Sequence, residues 1–467
     1  MKVKPVRNGL FLIMICFSLN ILANVSLPAI FADHMVLQQN QEVVLWGWAK
    51  PNEEVSVIAN WDNNELKTVA DNQANWSLKI KTPPAGGPYQ IKIKGYNEIW
   101  LHDVLIGEVW LCSGQSNMEW TPRAGIKGGE EAIKQANFPE IRLFTVEVRS
   151  AANPQNDLGG KWLICNPETM LDFSAIGYFF GKKIHQELQV PVGMINASWG
   201  GTPAEVWIPA DRINQNLVLA AAAQKLEEQK WCPVKPGRAY NAMIAPLIPF
   251  RIAGVLWYQG ETNTNNPLTY KELFSALIQT WRSLWGYEFP FYYFQIAPYK
   301  YGTPEVGAIV RDAQRRTLTV PKTGMVVISD IGNIDDIHPR NKIDAGNRLA
   351  NLALNKTYGK SEIAIYGPLY HDYKIEKNKI RIYFDYADGL NAKGGKLTDF
   401  EIAGEDQKFY PADAEIQGST IVVSSAKVKA PVAVRFAWDN VATPNLFNLA
   451  GLPASCFRTD NWGIIIE

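Results

Sequence analysis

The apolar pattern changes character twice along the chain. Between residues 25 and 102 the stretches EVVLWGWA, EVSVIANW, WSLKIKT and PYQIKIKGY are rich in β-branched and aromatic residues, and the last two alternate apolar with polar. Alternation puts one side of a strand in a core and the other in water. Turn clusters, KPNEE and PPAGGP, separate the strands, so a small N-terminal β-sandwich is expected here.

From 103 to 358 the apolar runs are short and continuous: VLIGEVWLCSG, VPVGMINASWGG, IAGVLWYQGE, FPFYYFQIA and GMVVISDIGN. Runs of this kind predict strands buried on both faces, as in a parallel sheet. Helical periods separate them. In SAIGYFFGKKIHQEL, Ile176, Phe180, Ile184 and Leu188 share one face, and Ser174 is a candidate cap. KELFSALIQTWRSLW and AGNRLANLALNKTYG read likewise. Strand–helix alternation predicts a doubly wound α/β sheet whose site lies at the carboxyl ends of its strands. From 359 to 467 the pattern returns to β, with KIRIYFDY, STIVVSS and PVAVRFAW. The aperiodic NLFNLAGLPASCFRTD is expected to wrap back over the α/β core.

Composition then narrows the function. The 467 residues suit two or three domains. Basic and acidic residues balance at 46 each, which leaves no electrostatic footprint for nucleic acid. Residues 1–24 read as a secretory signal: Lys2, Lys4 and Arg7 precede an apolar stretch too short to span a bilayer. No later run is long enough to span one, so a secreted or periplasmic protein is expected. That compartment permits disulfides among Cys112, Cys165, Cys232 and Cys456, and the spacing selects no pairing. There is no C-x-x-C, H-E-x-x-H, Walker A loop or strand-linked G-x-G-x-x-G, so no metal, nucleotide or redox cofactor is expected. The 16 Trp are expected mostly in the core, with a minority available to stack on sugars.

Three of the predicted strands end in small or amide-bearing loops: GQSN, SWGGT and QGETN. Acyl transfer needs a nucleophile, a base and donors aimed at the developing oxyanion. Ser116 supplies the first, and glycines bring backbone N–H groups close. The base would be His338, which Pro339 restricts to extended geometry. Asp335 and Asp336 stand three and two residues before it. His34, His102, His185 and His371 sit in patterns that read as structural. The serine lacks the second glycine of G-x-S-x-G, which disfavours a nucleophile elbow.

GQSNM at 114–118, WYQGETN at 257–263 and DIHPRNK at 336–342 together resemble the sialate O-acetylesterase group of SGNH-type hydrolases. FADHMVLQQ, YNAMIAPLIPF, RDAQRR and GLPASCFRTD extend the likeness over nearly the whole mature chain. The resemblance implies an SGNH-type esterase domain over 103–358 and removal of O-acetyl groups from carbohydrates, first among them O-acetylated sialic acids. It implies Ser116 as nucleophile and His338 as base. It implies oxyanion donors at the Ser116 N–H, the N–H of Gly200 or Gly201, and the Asn263 amide, with Gln259 and Glu261 bracing the loop. The aspartate is open: broad SGNH patterns select Asp335, the narrower DIH pattern selects Asp336, the three-residue offset favours Asp335, and a Ser–His dyad with a backbone acceptor is the remaining alternative. Two alternatives stand beside this reading, an esterase for acetylated xylan or another polysaccharide, and a non-catalytic glycan-binding protein. The segments TPRAGIKGGEEAIKQ and KLEEQKWCPVKPGRAYN are candidate pocket walls, with Arg123 or Arg238 available to a substrate carboxylate.

Overall fold

The computed structural model describes residues 24–464. The expected signal segment falls almost entirely outside the described residues. Seven strands form the α/β part of an 11-stranded sheet, in the order Thr323–Val326, Phe291–Phe294, Gly254–Tyr258, Glu98–Gly114, Val192–Ser198, Phe138–Thr145, Trp162–Cys165. All neighbours are parallel except the last pair. The central strands Val192–Ser198 and Gly254–Tyr258 are buried at every residue. That is the outcome expected of continuous apolar runs covered on both faces. The helices come in two packed pairs, Ala175–Leu188 with Lys342–Lys356 and Tyr270–Trp285 with Val306–Arg316. Ser174 caps the first of these, its Oγ accepting the Gly177 N–H at 3.1 Å.

Much of the tryptophan content is packing. Trp110, Trp207, Trp257 and Trp281 are fully buried, and Trp257 meets Trp207 and Trp281 edge to face. Offset and edge-on contacts of this kind suit the ring quadrupoles.

The expected boundary at 102/103 falls inside a single strand, Glu98–Gly114. Its first half pairs antiparallel with Gly86–Lys94 of the N-terminal β region. From Glu108 onward it pairs with Val192–Ser198, and from Trp110 with Gly254–Tyr258. Buried polar groups seal the changeover: Glu108 accepts from Gln39 and from the Tyr358 hydroxyl, each at 2.7 Å. The remaining N-terminal strands add a pair, Glu42–Trp48 with Asn75–Lys81, whose Val43, Leu45 and Trp76 join the same core as the α/β sheet.

The C-terminal residues form two four-stranded antiparallel sheets around a second core. Helix Val306–Arg316 contributes Ala308 and Ile309 to that core and Val310 and Ala313 to the first. The aperiodic segment does return to the α/β part, where the Ser455 hydroxyl accepts from Gln295 Nε2 at 2.9 Å. The four described cysteines are buried and free, so no disulfide links them.

Gly114 ends the long strand with φ +127°, and a Cβ there would lie 2.2 Å from the Tyr258 carbonyl oxygen. The Gln115 N–H donates to that same oxygen at 2.9 Å. Gly114→Ala therefore combines a forbidden contact with a strained φ. It is expected to lower stability by more than ~1 kcal/mol, read by thermal unfolding.

Candidate active site

Ser116 begins a four-residue helical turn at the carboxyl end of the long strand. His338 lies on the loop after Thr323–Val326, two strands beyond Gly254–Tyr258. The fold closes the 222-residue gap between them, leaving Ser116 Oγ 3.0 Å from His338 Nε2. This is hydrogen-bond distance for a nucleophile and its base. The imidazole is half-buried, and its pKa lies below the usual 6.5. Burial is the main cause, followed by the positive charge of Lys342, with Asp336 opposing. A depressed pKa keeps the ring neutral, as a proton acceptor must be. The Trp120 ring stacks on it, with centroids 4.3 Å apart.

The three-residue offset that favoured Asp335 does not describe this loop. Asp335 is mostly exposed and its carboxylate pairs with Lys300. Asp336 is the aspartate beside the imidazole, with Oδ1 3.6 Å from His338 Nδ1. That same oxygen accepts the His338 backbone N–H at 2.9 Å, an Asx turn that fixes the carboxylate two residues ahead of the ring. At 3.6 Å the side-chain contact is electrostatic rather than a formed hydrogen bond. Arg340 holds the other carboxylate oxygen at 3.2 Å.

The oxyanion candidates separate into free and occupied donors. The Ser116 and Gly201 N–H groups have no protein acceptor among the described residues. The Gly200 N–H donates to Glu119 Oε2 at 2.6 Å. Gly200 lies against the serine, since a Cβ there would be 3.4 Å from Ser116 Cβ. Glu119, desolvated and without a cationic partner, has its carboxyl pushed up despite this bond. Asn263 is fully buried, and its amide donates to Glu205 Oε2 and to Asn266 Oδ1, each at 2.9 Å. Both of its amide hydrogens are committed, so in this conformation it has none for an oxyanion. Its Oδ1 accepts from the Ala204 N–H and from Gln259 Nε2, while Gln259 Nε2 and the Thr262 hydroxyl donate to the Thr202 and Gly201 carbonyls and tie QGETN to SWGGT. Gln259 also accepts from the Tyr270 hydroxyl at 2.9 Å.

Beneath the serine lies a polar network whose joint action no spacing rule announces. Asn117 Nδ2 donates to Glu261 Oε1 at 2.7 Å and to the Ile337 carbonyl at 2.9 Å, next to His338. Lys342 Nζ donates to Asn117 Oδ1 at 2.7 Å and to the Asn117 carbonyl at 3.2 Å. All three side chains are buried. Burial pushes the Glu261 carboxyl up to about 7 and the Lys342 ammonium down to about 7. Asn117 and Lys342 both stand inside the motifs GQSNM and DIHPRNK, so their positions were visible while their partnership was not.

Both candidate walls border the site. Arg340 donates to the Ala124 and Gly125 carbonyls and lies 4.7 Å over the Trp120 ring. On the other side Trp199 Nε1 donates to the Trp231 carbonyl, and the exposed Trp231 ring lies against Gly201. Arg123 is not free for a substrate, because it forms a bidentate pair with Asp172 at 2.5 and 2.7 Å. Arg238 lies in the second wall segment, among residues around Cys232. His185 donates to or accepts from no site residue; its Nδ1 bonds the Val190 carbonyl.

A parallel sheet carrying a serine, a neutral histidine and free backbone donors at its carboxyl edge defines an esterase. Residues 106–355 match the family described as "Carbohydrate esterase, sialic acid-specific acetylesterase", and the chain belongs to that family. It is 29% identical to the sialate O-acetylesterase of Rattus norvegicus, over 87% of this chain and 88% of the relative. The Homo sapiens enzyme of that name is 28% identical, over 87% and 86%. A carbohydrate acetylesterase from Xanthomonas citri is similar in structure, with TM-score 0.86 and 38% identity, covering 94% of this chain and all of that one. The protein is a carboxylic ester hydrolase of carbohydrates.

Activity should fall as pH drops through the depressed His338 value, below 6.5, and stay level above it. Asp336→Asn removes a group that raises the His338 pKa, so the acid limb should move lower while kcat drops by about 10²-fold or more. Asp335→Asn should change neither, and pH–rate profiles of the two variants decide between them. Asn117→Ala strands Glu261 and Lys342 and should cost about 1–3 kcal/mol of stability, measured by denaturant unfolding.

Proposed function

We propose that the protein is a secreted or periplasmic serine O-acetylesterase acting on acetylated sugars, O-acetylated sialic acids foremost. The observation that carries the mechanism is the 3.0 Å contact between Ser116 Oγ and His338 Nε2. In this reading Ser116 attacks the acetyl carbonyl as its proton passes to His338 Nε2. The tetrahedral oxyanion forms beside the free N–H groups of Ser116 and Gly201, and Asp336 favours the imidazolium that forms. His338 then returns the proton to the departing sugar oxygen, leaving an acetyl ester on Ser116. Water, deprotonated by His338, releases acetate and restores the serine. Glu119 acts as a positioning residue by pinning the Gly200 peptide against Ser116.

The sialic acid preference rests on the names of the mammalian relatives. The Xanthomonas citri enzyme is a carbohydrate acetylesterase, and acetylated xylan or another polysaccharide stands as the second reading.

Purified protein offered acetylated sialic acids and acetylated xylo-oligosaccharides, with acetate followed directly, separates these readings by kcat/KM. Ser116→Ala and His338→Ala should each lower kcat on every accepted ester by at least about 10⁴-fold. Equal acetate release by wild type and Ser116→Ala would sink the serine mechanism. Tight glycan binding with no acetate release would turn the reading toward a binding protein.

A further inference from the structure

A second cleft, of about 950 Å³, lies away from Ser116. Pro290 and Tyr292, at the amino end of Phe291–Phe294, and Thr323, the first residue of the next strand, line its inner side. Ser116 follows the carboxyl end of a strand parallel to these, so the cleft opens at the opposite edge of the sheet. Residues of the C-terminal β region, among them Tyr370 and Tyr386, close the other side. A volume of this size is typical of a small-molecule or saccharide site.

Its chemistry is unlike that of the chain as a whole, whose charges balance. Five cationic side chains line it against two carboxylates. Arg315 is engaged by Asp312 at 2.6 Å, Lys322 by Glu288 at 3.5 Å, and Asp385 pairs with His371. Lys271, Arg316 and Lys356 have no carboxylate partner among the described residues. They come from three different helices. Four tyrosines accompany them. Tyr366 and Tyr386 lie 4.8 Å apart with planes at 56°, and Tyr386 is 44% exposed. Tyr370 rests one face on Phe457 at 4.7 Å, which fixes its orientation.

Aromatic rings held in place offer flat apolar surfaces to the C–H faces of sugars, and their hydroxyls offer hydrogen bonds. A neutral sugar would leave the three unpaired cations unsatisfied. We propose that the cleft is a second, non-catalytic binding site for an acidic oligosaccharide, one whose successive rings carry carboxylates. The site goes beyond the esterase reading and does not depend on it. Bound there, a polyanionic glycan would hold the enzyme on a polymer while the other sheet edge stays open to esters.

The test uses the full protein and its Ser116→Ala variant with oligosialic acid lacking acetyl groups, oligogalacturonate, neutral cellohexaose and inorganic polyphosphate, measured by calorimetry. At least one acidic oligosaccharide should bind both proteins equally, without inhibiting turnover of 4-nitrophenyl acetate. Arg316→Glu with Lys356→Glu, and separately Tyr386→Ala, should weaken that binding about tenfold or more. Both variants should keep wild-type turnover and unfolding temperature, since Arg316, Lys356 and Tyr386 are exposed. The proposal is overturned if neither acidic probe binds, or if cellohexaose or polyphosphate binds as tightly. It is equally overturned if the folded variants bind like wild type, or if the acidic probe inhibits turnover competitively, which would place it at Ser116.

Discussion

One buried amide, Asn117, holds the catalytic edge together. Its side chain reaches the QGETN loop through Glu261, the histidine loop through the Ile337 carbonyl, and the start of the following helix through Lys342. Three loops from three strand ends thus share one set of hydrogen bonds directly beneath the serine. A carboxyl and an amine buried at such a place are costly unless paired and bonded. Glu261 Oε2 has no hydrogen-bond partner among the described residues, which fits a carboxyl pushed toward its neutral form. The arrangement is expensive in desolvation and rigid in geometry. Rigidity is what a nucleophile and base from residues 222 apart require.

Around that amide the sheet sets directions and the glycines set distances. Parallel strands send Gly114, Ser198 and Tyr258 to one edge in register, so three loops begin side by side. Gly114 allows the chain to turn against the Tyr258 carbonyl, and Gly200 allows the neighbouring loop to touch the serine. Trp120 stacks on the imidazole and Arg340 covers Trp120 in turn. The half-buried, neutral histidine follows from this layering more than from any single neighbour.

The apolar runs made the parallel strands legible, because burial on both faces leaves a continuous signature. The serine, the histidine and the three loops were legible as an ordered set. Direction was not. Spacing placed Asp335 at a plausible offset, but adjacent residues in a turn project differently, and the Asx turn at Asp336 decides which carboxylate meets the ring. Asn263 was read as a donor because its residue type can donate. Its two hydrogens are claimed by Glu205 and Asn266, and Glu205 lies 58 residues away in sequence. The charge network failed to show for the same reason: Glu261 and Lys342 meet through Asn117 only after folding. The domain boundary was drawn where the pattern changes, and the backbone carries one strand straight across it.

That shared strand has a consequence for synthesis. Its first half finds a partner at once, in Gly86–Lys94. Its second half, EVWLCSG, pairs with Val192–Ser198 and Gly254–Tyr258, which lie some 80 to 145 residues further along the chain (Ser198 and Tyr258 against Gly114). During that interval an apolar edge, ending at the future nucleophile, stands without neighbours, and unpaired edges of this kind invite association. Until Val192–Ser198 and Gly254–Tyr258 close on it, the folding chain carries an open apolar edge two residues from Ser116.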